Sequence, residues 1–196
     1  MKIGPIYKIA RRYGPELFEK TSTQKFALRE AQRVGKKMSA RSNYALQLSA
    51  KQKARFMYGI GNSSLRAIAR NAFETKGSAT ETLFGFLERR LDNVAYRAGL
   101  ASTRRAARQL VSHGHLLIKG RRVTTPSYLV SVGDIITVRQ GSVNKNMWQK
   151  KELVASIPNW ISYDENTKII KILGKPELRK DELPFSIESI LQFYRR

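Results

Sequence analysis

Apolar residues recur at helical spacing in several stretches of the chain. In residues 65–73 they stand at positions i, i+3, i+4, i+7 and i+8, which predicts a helix with one face turned to a core. Residues 80–98 repeat this spacing and predict a second helical region. Serines suited to cap a helix predict two more helices, one from Ser49 to Gly59 and one after Ser186.

Residues 102–112 predict a short helix whose two faces differ. Ser102 is the expected cap, and Gly114 follows the last turn. One face is mostly alanine, so it can pack closely on a neighbouring helix but is too thin to anchor the chain in a membrane. The opposite face is polar and basic, and its members are Arg104, Arg105, Arg108, Gln109 and Ser112.

The segment 93–122 contains no Asp or Glu. A solvent-exposed helix face usually mixes both signs of charge, whereas arginines crowded on one face repel one another unless an anion lies between them. Guanidinium groups bind phosphate oxygens in a bidentate manner. The pattern therefore predicts a phosphate-binding face with three arginines that have no partner within the protein.

After Gly114 the period of the apolar residues shortens, as it does where strands follow a helix. Residues 115–123 predict a hairpin with a Lys-Gly turn, residues 135–138 a further strand, and residues 160–173 a second hairpin. We therefore expect an α+β fold in which a module of two helices and a small sheet is inserted into a helical domain with a basic N-terminal arm.

The charge of the chain narrows the choice of partner. Of 196 residues, 37 are Lys or Arg and 15 are Asp or Glu, so the formal net charge is +22 and the isoelectric point is near 10.6. Such a chain repels itself unless a polyanion compensates the charge, and these values are typical of nucleic-acid-binding domains. The charge is concentrated in residues 1–44, with 11 basic and 3 acidic residues, and in residues 86–122, with 9 and 2.

Four regions are expected from these patterns. Residues 1–44 form a basic N-terminal arm, residues 45–85 a helical domain that the C-terminal segment completes, and residues 146–196 a C-terminal hairpin and helix. Residues 86–145 form the module of two helices and a small sheet, and the family resemblance described below implies that this module binds RNA. The arm has too few bulky apolar residues to bury a core alone. It is either a disordered tail or an arm that orders along RNA, and we favour the second.

Several classes of function find no support in the sequence. Cysteine is absent, which excludes disulfides, cysteine-bound zinc and thiol catalysis, and no carboxylate flanks the two histidines to complete a metal site. There is no nucleophile–base pair, no P-loop and no long apolar run. We therefore expect no enzymatic activity, no cofactor or metal, no small-molecule substrate and no membrane partner.

The pieces RLDNV, STRRAARQLVSHGH, IKGRRV, PSYLV and VGDIITVR follow one another within residues 88–139. In this order and spacing they resemble the small-subunit ribosomal protein four family, whose RNA-binding module is widespread. The pieces GPIYKIARRYG, YALQLSAKQKARFMYG and ILQFYRR resemble the same family, so the resemblance covers essentially the whole chain. Many members hold their N-terminus with a four-cysteine zinc site. This chain resembles the zinc-free form, in which ordering of the arm would depend on RNA.

The resemblance implies a structural constituent of the small ribosomal subunit. Such a protein binds 16S-type ribosomal RNA (rRNA) directly and nucleates assembly of its 5′ domain. The resemblance also implies contacts with small-subunit proteins three and five near the channel through which messenger RNA enters, and an influence on decoding accuracy. The implied location is the cytoplasmic ribosome, or the organelle stroma or matrix if the gene is organelle-encoded.

Candidate RNA-binding residues come from the basic stretches and from positions that match the family's RNA-facing helix and turn. His113 is expected to contact RNA, whereas for His115 an RNA contact and a hydrogen bond within the turn both stay open. The full set is Lys2, Lys8, Arg11, Arg12, Lys36, Lys37, Lys51, Lys53, Arg66, Arg70, Arg89, Arg104, Arg105, Arg108, Gln109, Ser112, His113, His115, Lys119, Arg121 and Arg122.

Two rival functions share features with this chain. The same module occurs in pseudouridine synthases, whose catalytic aspartate lies in an RLD sequence, and Arg90-Leu91-Asp92 is present here. Because Leu91 falls on the apolar, core-facing side of the predicted helix and no catalytic domain remains, we expect Asp92 at a helix end or in a salt bridge.

A helix-turn-helix DNA binder is the second rival, but such proteins usually dimerise and the sequence has no evident dimer face.

Overall fold

Eight α-helices and five β-strands are found in the residues that the computed structural model describes, which are 3–18, 20–32, 42–142, 157–178 and 183–195. The expected α+β class is confirmed. The chain forms two compact units, which we call the helical unit (residues 1–83 and 178–196) and the sheet unit (residues 84–177). The sheet unit is thus inserted into the helical unit.

The longest helix of the helical unit is α3, over Asn43–Tyr58. It begins earlier than the predicted cap at Ser49, because the Ser42 hydroxyl accepts a hydrogen bond from the N–H of Ala45 and so caps the helix. The other helices that lie in this unit or lead out of it are α1 (Ile6–Tyr13), a 3₁₀ turn (Pro15–Leu17), α2 (Gln24–Ala31), α4 (Asn62–Glu74) and α5 (Ala79–Glu88).

The last helix of the chain, α8, spans Ile187–Tyr194 and packs along α3. Its predicted cap is confirmed, since the Ser186 hydroxyl accepts a hydrogen bond from the N–H of Ser189. The apolar face of α8 buries Ile187, Ile190 and Leu191. A segment from the far end of the chain therefore completes the helical unit.

The N-terminal arm has a small core, which the sequence analysis did not expect. Ala10, Leu17, Phe18 and Phe26 are buried together, and partly buried side chains of α3 pack against them. The arm lacks enough apolar residues for a core of its own, but it gains one by covering α3. The expectation that the arm orders along RNA stays a prediction.

The described residues of the sheet unit include the helices α6 (Leu91–Arg97) and α7 (Arg104–Ser112) and an antiparallel sheet. The strand order is β2-β1-β3-β5-β4. The apolar faces of both helices and of the sheet form a single core. The strands are β1 (Leu116–Ile118), β2 (Arg121–Arg122), β3 (Ile135–Val138), β4 (Ile161–Asp164) and β5 (Ile169–Ile172).

The predicted C-terminal region, residues 146–196, does not form one piece. Its hairpin joins the sheet, because Ile135 and Ile136 of β3 pair with Lys171 and Ile170 of β5. Its helix instead belongs to the helical unit. The hairpin pairs with β3 because both strands bury apolar residues in the same core, which local sequence spacing does not reveal.

The single helical region predicted for residues 80–98 is two helices, α5 and α6. The break falls at Arg90, which is extended and forms an isolated bridge with Leu129. The N–H groups of Leu91 and Asp92 donate to backbone oxygens of the loop at Tyr128 and Pro126. The loop thus satisfies the first backbone donors of α6 and holds the helix against the sheet.

Candidate nucleic-acid interface

The candidate interface begins with α7, whose basic and apolar faces are those predicted. Its cap is Thr103 rather than Ser102, since the Thr103 hydroxyl accepts a hydrogen bond from the N–H of Ala106. Ala107, Leu110 and Val111 are buried in the core of the sheet unit. The exposed side chains on the other side of the helix include Arg105, Gln109 and Ser112.

Two of the three arginines on α7 have partners in the protein, which corrects the expectation that all three lack one. The Arg104 Nε donates to Asn93 Oδ1 at 2.9 Å, and its guanidinium lies 4.4 Å from the centroid of the Tyr96 ring. The Arg108 Nη1 lies 3.4 Å from Asp92 Oδ2. These partners lie on α6. The prediction of unpaired arginines was wrong because it considered the acid-free residues 93–122, whereas the counter-charge, Asp92, directly precedes them.

Asp92 is the centre of this arrangement. It is 4% exposed, and the Arg90 guanidinium binds both of its oxygens, with Nε at 3.0 Å and Nη2 at 2.8 Å. Asp92 Oδ1 also accepts a hydrogen bond from the N–H of Asn93 at 2.9 Å. The expected helix-end and salt-bridge role is confirmed. One carboxylate is shared by two guanidinium groups, which leaves a positive excess beside α7.

A second buried carboxylate, Glu88, anchors the other end of α6. Its oxygens accept hydrogen bonds from Arg97 Nε at 2.9 Å and Nη2 at 3.1 Å, and from Asn93 Nδ2 at 3.0 Å. Asn93 in turn accepts the hydrogen bond of Arg104. Glu88, Asn93 and Arg104 therefore form one polar network that fixes the first arginine of α7. Networks of this kind are rigid when every member is satisfied.

The hairpin after α7 presents Lys119 in a tight turn. Ile118 pairs with Arg121, and the two residues between them have positive φ angles of 49° at Lys119 and 76° at Gly120, as in a type I′ turn. A lysine is uncommon at such an angle. Its Nζ lies 2.8 Å from Oδ1 of the buried Asp134, an ion pair that links the hairpin to the start of β3.

The Lys119–Asp134 pair shifts the pKa of both groups. The hydrogen bond and charge of Asp134 raise the pKa of Lys119 above its usual value. Burial alone would raise the pKa of Asp134, but hydrogen bonds from Lys119 and from the N–H of Ser131 outweigh it, so the pKa of Asp134 is lowered. Both groups are therefore held in their charged forms at neutral pH.

The two histidines have different surroundings. His113 is exposed, and its backbone oxygen accepts a hydrogen bond from Arg122 Nη2 at 3.1 Å, which joins the end of α7 to β2. His115 is 8% exposed, and its Nδ1 lies 2.9 Å from the Ser142 hydroxyl. Of the two readings left open for His115, the geometry favours the hydrogen bond within the protein. An RNA contact by His113 stays a prediction.

The remaining candidates in the sheet unit are Arg89, Arg121 and Arg122. Arg121 and Arg122 are exposed on β2. Arg89 is partly buried and its Nε donates to the backbone oxygen of Val130 at 2.7 Å. Arg122 is thus the candidate that connects the hairpin to the exposed side of α7, whereas Arg89 also has a structural role at the break between α5 and α6.

The candidates in the helical unit are scattered over several helices. Arg11 pairs with Glu30 at 2.9 Å, and Lys53 donates to the backbone oxygen of Pro184 at 2.9 Å. Lys51 is buried, although a residue that contacts phosphate was expected to be exposed. Lys2, Lys36 and Lys37 lie outside the described residues. The exposed candidates of this unit are Lys8, Arg11, Arg12, Arg66 and Arg70.

Sequence reasoning missed the residues that hold the basic face in place. Glu88, Asn93, Tyr96 and Asp134 were not named as site residues, and Asp92 was assigned only a generic structural role. One signal was available: Glu88 and Asp92 are four residues apart and directly precede the acid-free segment. In the part of the chain that the structure describes, no cluster of metal-ligating side chains occurs and no helix is long and apolar enough to cross a membrane.

Comparisons with known proteins agree with this geometry. Residues 89–136, which contain α6, α7, β1, β2 and the start of β3, match the family described as "S4 domain", and residues 1–88 match "Ribosomal protein S4/S9 N-terminal domain". The chain is therefore an S4-domain protein with the N-terminal domain of a ribosomal protein.

Curated relatives cover nearly the whole chain. "Small ribosomal subunit protein uS4" of Persephonella marina is 40% identical over 98% of this chain and 97% of its own length. The proteins of the same name from Chlorobium phaeobacteroides and Aquifex aeolicus are 38% and 36% identical, over 98% and 99% of this chain and 98% of each relative. The chain belongs to this uS4 family of small-subunit ribosomal proteins.

Proposed function

We propose that the chain binds small-subunit rRNA directly, mainly through the basic face of α7. The observation that carries this proposal is the fixed position of Arg104 and Arg108, which partners on α6 hold beside the exposed Arg105. Guanidinium groups positioned before binding lose less conformational freedom when they meet phosphate. The hairpin adds further cations at Lys119, Arg121 and Arg122.

The proposed recognition depends on the shape of folded RNA rather than on base sequence. Arginine binds phosphate oxygens in pairs, and phosphate and 2′-hydroxyl contacts dominate the recognition of RNA helices. A rigid array of cations suits phosphates that are held at fixed positions, such as those at a junction of RNA helices. Gln109 and Ser112 lie beside the arginines and can exchange hydrogen bonds with 2′-hydroxyl groups.

We infer the finer roles from family membership. They are nucleation of 5′-domain assembly, contact with small-subunit proteins three and five and with messenger RNA where it enters, and an influence on decoding accuracy. The similarity over 98% of the chain supports them, and the bacterial origin of the relatives supports a cytoplasmic ribosome as the location. The proposed role is structural rather than enzymatic, since the oxygens of Asp92 are bound by Arg90 and Arg108.

Binding to a fragment of the rRNA 5′ domain tests the proposal. We would titrate the full chain against this fragment, unrelated structured RNA and duplex DNA of equal length, across a series of salt concentrations. We expect a preference for the rRNA fragment that survives at physiological salt. Equal binding to all three, with affinities that collapse together as salt rises, would reduce the activity to unspecific polyanion binding. Duplex DNA bound as tightly as the rRNA fragment would favour the helix-turn-helix rival.

A further inference from the structure

The exposed apolar side chains of the sheet unit gather at one end of its sheet. β3 and β4 begin at this end and β5 finishes there, because β5 runs antiparallel to both of these neighbours. In the part of the sheet unit that the structure describes, every large apolar or aromatic side chain that is exposed belongs to these strand ends or to the loops beside them. We call these residues the apolar patch, and they are Tyr128, Leu129, Val132, Ile135, Ile157 and Leu173.

Backbone hydrogen bonds hold the segments of the apolar patch side by side. The N–H of Gly133, which follows Val132, donates to the oxygen of Ile172 at 2.9 Å. The N–H of Leu173 donates to the oxygen of Trp160 at 2.9 Å. The loop before β3, the end of β5 and the start of β4 are therefore neighbours, and the sheet fixes their side chains in one surface.

The patch opens on the face of the sheet that the helices leave uncovered. Ile136 and Ile172 are buried in the core between the sheet and the helices α6 and α7. Since successive side chains of a strand point to opposite faces, Ile135 and Leu173 point away from that core. They are 44% and 59% exposed, and Val132 beside them is 54% exposed. Exposed apolar surface that polar residues surround is typical of protein–protein interaction sites.

The exposed charges around the patch are mostly positive. Three exposed lysines flank it, and they are Lys119, Lys171 and Lys175. Lys171 pairs with Ile135 across β5 and β3, and the N–H of Lys119 donates to the oxygen of Ile135 at 3.1 Å. Asp134 binds Lys119 but is itself buried, and Glu177 is the exposed acid that follows β5. A partner on this surface therefore meets more ammonium groups than carboxylates.

The composition of the patch favours an acidic protein over RNA or a second copy of the chain. Five of its six side chains are aliphatic and offer no flat ring on which a base could stack. A second copy would bring two sets of lysines together, which repel one another. An acidic protein segment would bury apolar side chains against the patch and place carboxylates beside the lysines, as complementary interfaces do.

We propose that the apolar patch is a docking surface for an acidic, amphipathic segment of another protein. The apolar side chains of this segment cover Val132, Ile135 and Leu173, and its carboxylates pair with the flanking lysines. The inference does not depend on the proposed RNA binding, since Ile135 and Leu173 lie on the sheet face opposite α7. The sheet unit can therefore hold RNA on one side and this partner on the other.

Binding of designed peptides to the full chain tests the patch. The probe is a fluorescein-labelled amphipathic peptide of about 18 residues, with leucines on one helical face and glutamates on the other. One companion peptide has lysine in place of every glutamate, and a second has serine in place of every leucine. Anisotropy is read at physiological salt, which screens unspecific attraction to the basic chain. We expect the acidic apolar peptide to bind at least about tenfold more tightly than either companion.

Two variants locate the binding on the chain. Ile135→Ser combined with Leu173→Ser should weaken binding of the acidic apolar peptide by about tenfold, because it removes two central apolar contacts. Lys171→Gln combined with Lys175→Gln should weaken it severalfold and reduce its dependence on salt. Both variants should keep the wild-type Tm, because all four side chains are exposed.

A matched control uses exposed leucines that lie far from the patch in the sequence. Leu28 and Leu46 of the helical unit are 65% and 49% exposed, so Leu28→Ser combined with Leu46→Ser removes a similar amount of exposed apolar surface. This control should bind the peptide within twofold of the wild type. Binding to the rRNA fragment should be unchanged in the Ile135 and Leu173 double variant, which keeps this test separate from that of the proposed function.

Several results would overturn the proposal. Equal binding of the lysine companion would show an adhesive surface without preference for an acidic partner, and equal binding of the serine companion would show attraction by charge alone. Equal losses in the leucine control would place the binding elsewhere on the chain. A Tm lowered by more than about 5 °C in the Ile135 and Leu173 double variant would mean that the patch packs against the chain itself. A dimer in sedimentation that this variant abolishes would assign the patch to a second copy, and loss of rRNA binding would assign it to RNA.

Discussion

The two units hold their cations in opposite ways. In the sheet unit, Arg97 and its partner Glu88 have side chains only 13% and 1% exposed, whereas Arg70 and Glu74 of the helical unit are 80% and 60% exposed. The first pair belongs to a network that reaches Arg104 through Asn93, while the second is an isolated pair on a helix surface. The first pair holds its guanidinium group in a fixed position, whereas the second leaves its guanidinium group exposed to solvent.

Because of this difference, we expect mutations of ion pairs to affect stability differently in the two units. A buried ion pair adds little net stability over apolar packing, but the loss of one partner leaves an uncompensated buried charge. An exposed pair on a helix contributes only a few tenths of a kcal/mol. Removal of a buried carboxylate from the network of the sheet unit should therefore lower the stability of the fold, whereas a substitution on the surface of the helical unit should leave the stability nearly unchanged.

The largest loss of stability is expected for Asp92→Ala. It leaves the buried Arg90 without its counter-ion and should lower the free energy of unfolding by about 3–5 kcal/mol. Urea denaturation measures the change, and Glu74→Ala is the matched control, with an expected loss below about 0.5 kcal/mol. Similar losses in the two variants would contradict the contrast between the units.

Replacing Arg104, Arg105 and Arg108 together with Ala should affect RNA binding most. Three lost phosphate contacts should weaken binding to the rRNA fragment by about a hundredfold and reduce the dependence of affinity on salt by about one unit of slope for each contact. Binding isotherms at several salt concentrations give both values. An unchanged affinity would show that α7 is not the RNA-binding face. Unfolding curves are needed beside them, because two of these arginines also contact α6.

Gly114→Ala tests how closely α7 and the hairpin are joined. Gly114 has a φ of 69°, and a Cβ there would collide with the Arg122 side chain that binds the oxygen of His113. We expect a loss of about 1–2 kcal/mol, measured by denaturation. Gly120→Asn is the control, since its φ is also positive but no atom lies within 4 Å and asparagine suits this turn. A stable Gly114→Ala protein would show that the junction can relax.

The smallest change in thermal stability is expected for Asp134→Asn, and this change depends on pH. The pKa of Asp134 is lowered from its ordinary value of 3.8, so its charge stabilises the fold above that pH and the contribution is lost as the pH falls through the folded-state pKa. The variant should therefore have a lower Tm than the wild type at pH 7, and the gap should narrow as the pH falls below about 4 and close only below the folded-state pKa. A gap that stays constant as the pH falls below this range would mean that the ion pair with Lys119 is not its cause.

The elements of the sheet unit could largely be predicted from the sequence, because short-range signals define them. The period of the apolar residues changes at Gly114, and the Lys-Gly pair fits the type I′ turn that the structure contains. The break between α5 and α6 could not be predicted in the same way. Leu87, Leu91 and Val94 keep helical spacing across it, and the helix is interrupted by backbone contacts of residues 90–92 with the loop at residues 126–129.

The basic residues of the candidate site could be predicted from the sequence, but the side chains that contact them could not. Charge and spacing identify the basic face of α7, whereas the contacts of Arg104 and Arg108 depend on how α6 packs beside α7. The same limit applies to Lys51, whose burial results from the packing of α8 on α3 at a separation of more than a hundred residues. Local patterns indicate which residues carry charge, and tertiary packing decides which of them remain exposed.

The insertion of one unit into the other has a consequence for the order of folding during synthesis. Residues 84–177 are continuous, so the sheet unit has all its strands once β4 and β5 have left the ribosome. The helical unit is made first but lacks α8, which packs on α3 and is translated after the sheet unit. Domains generally fold as soon as their chain is complete. The middle of this protein therefore reaches its final structure before its beginning does.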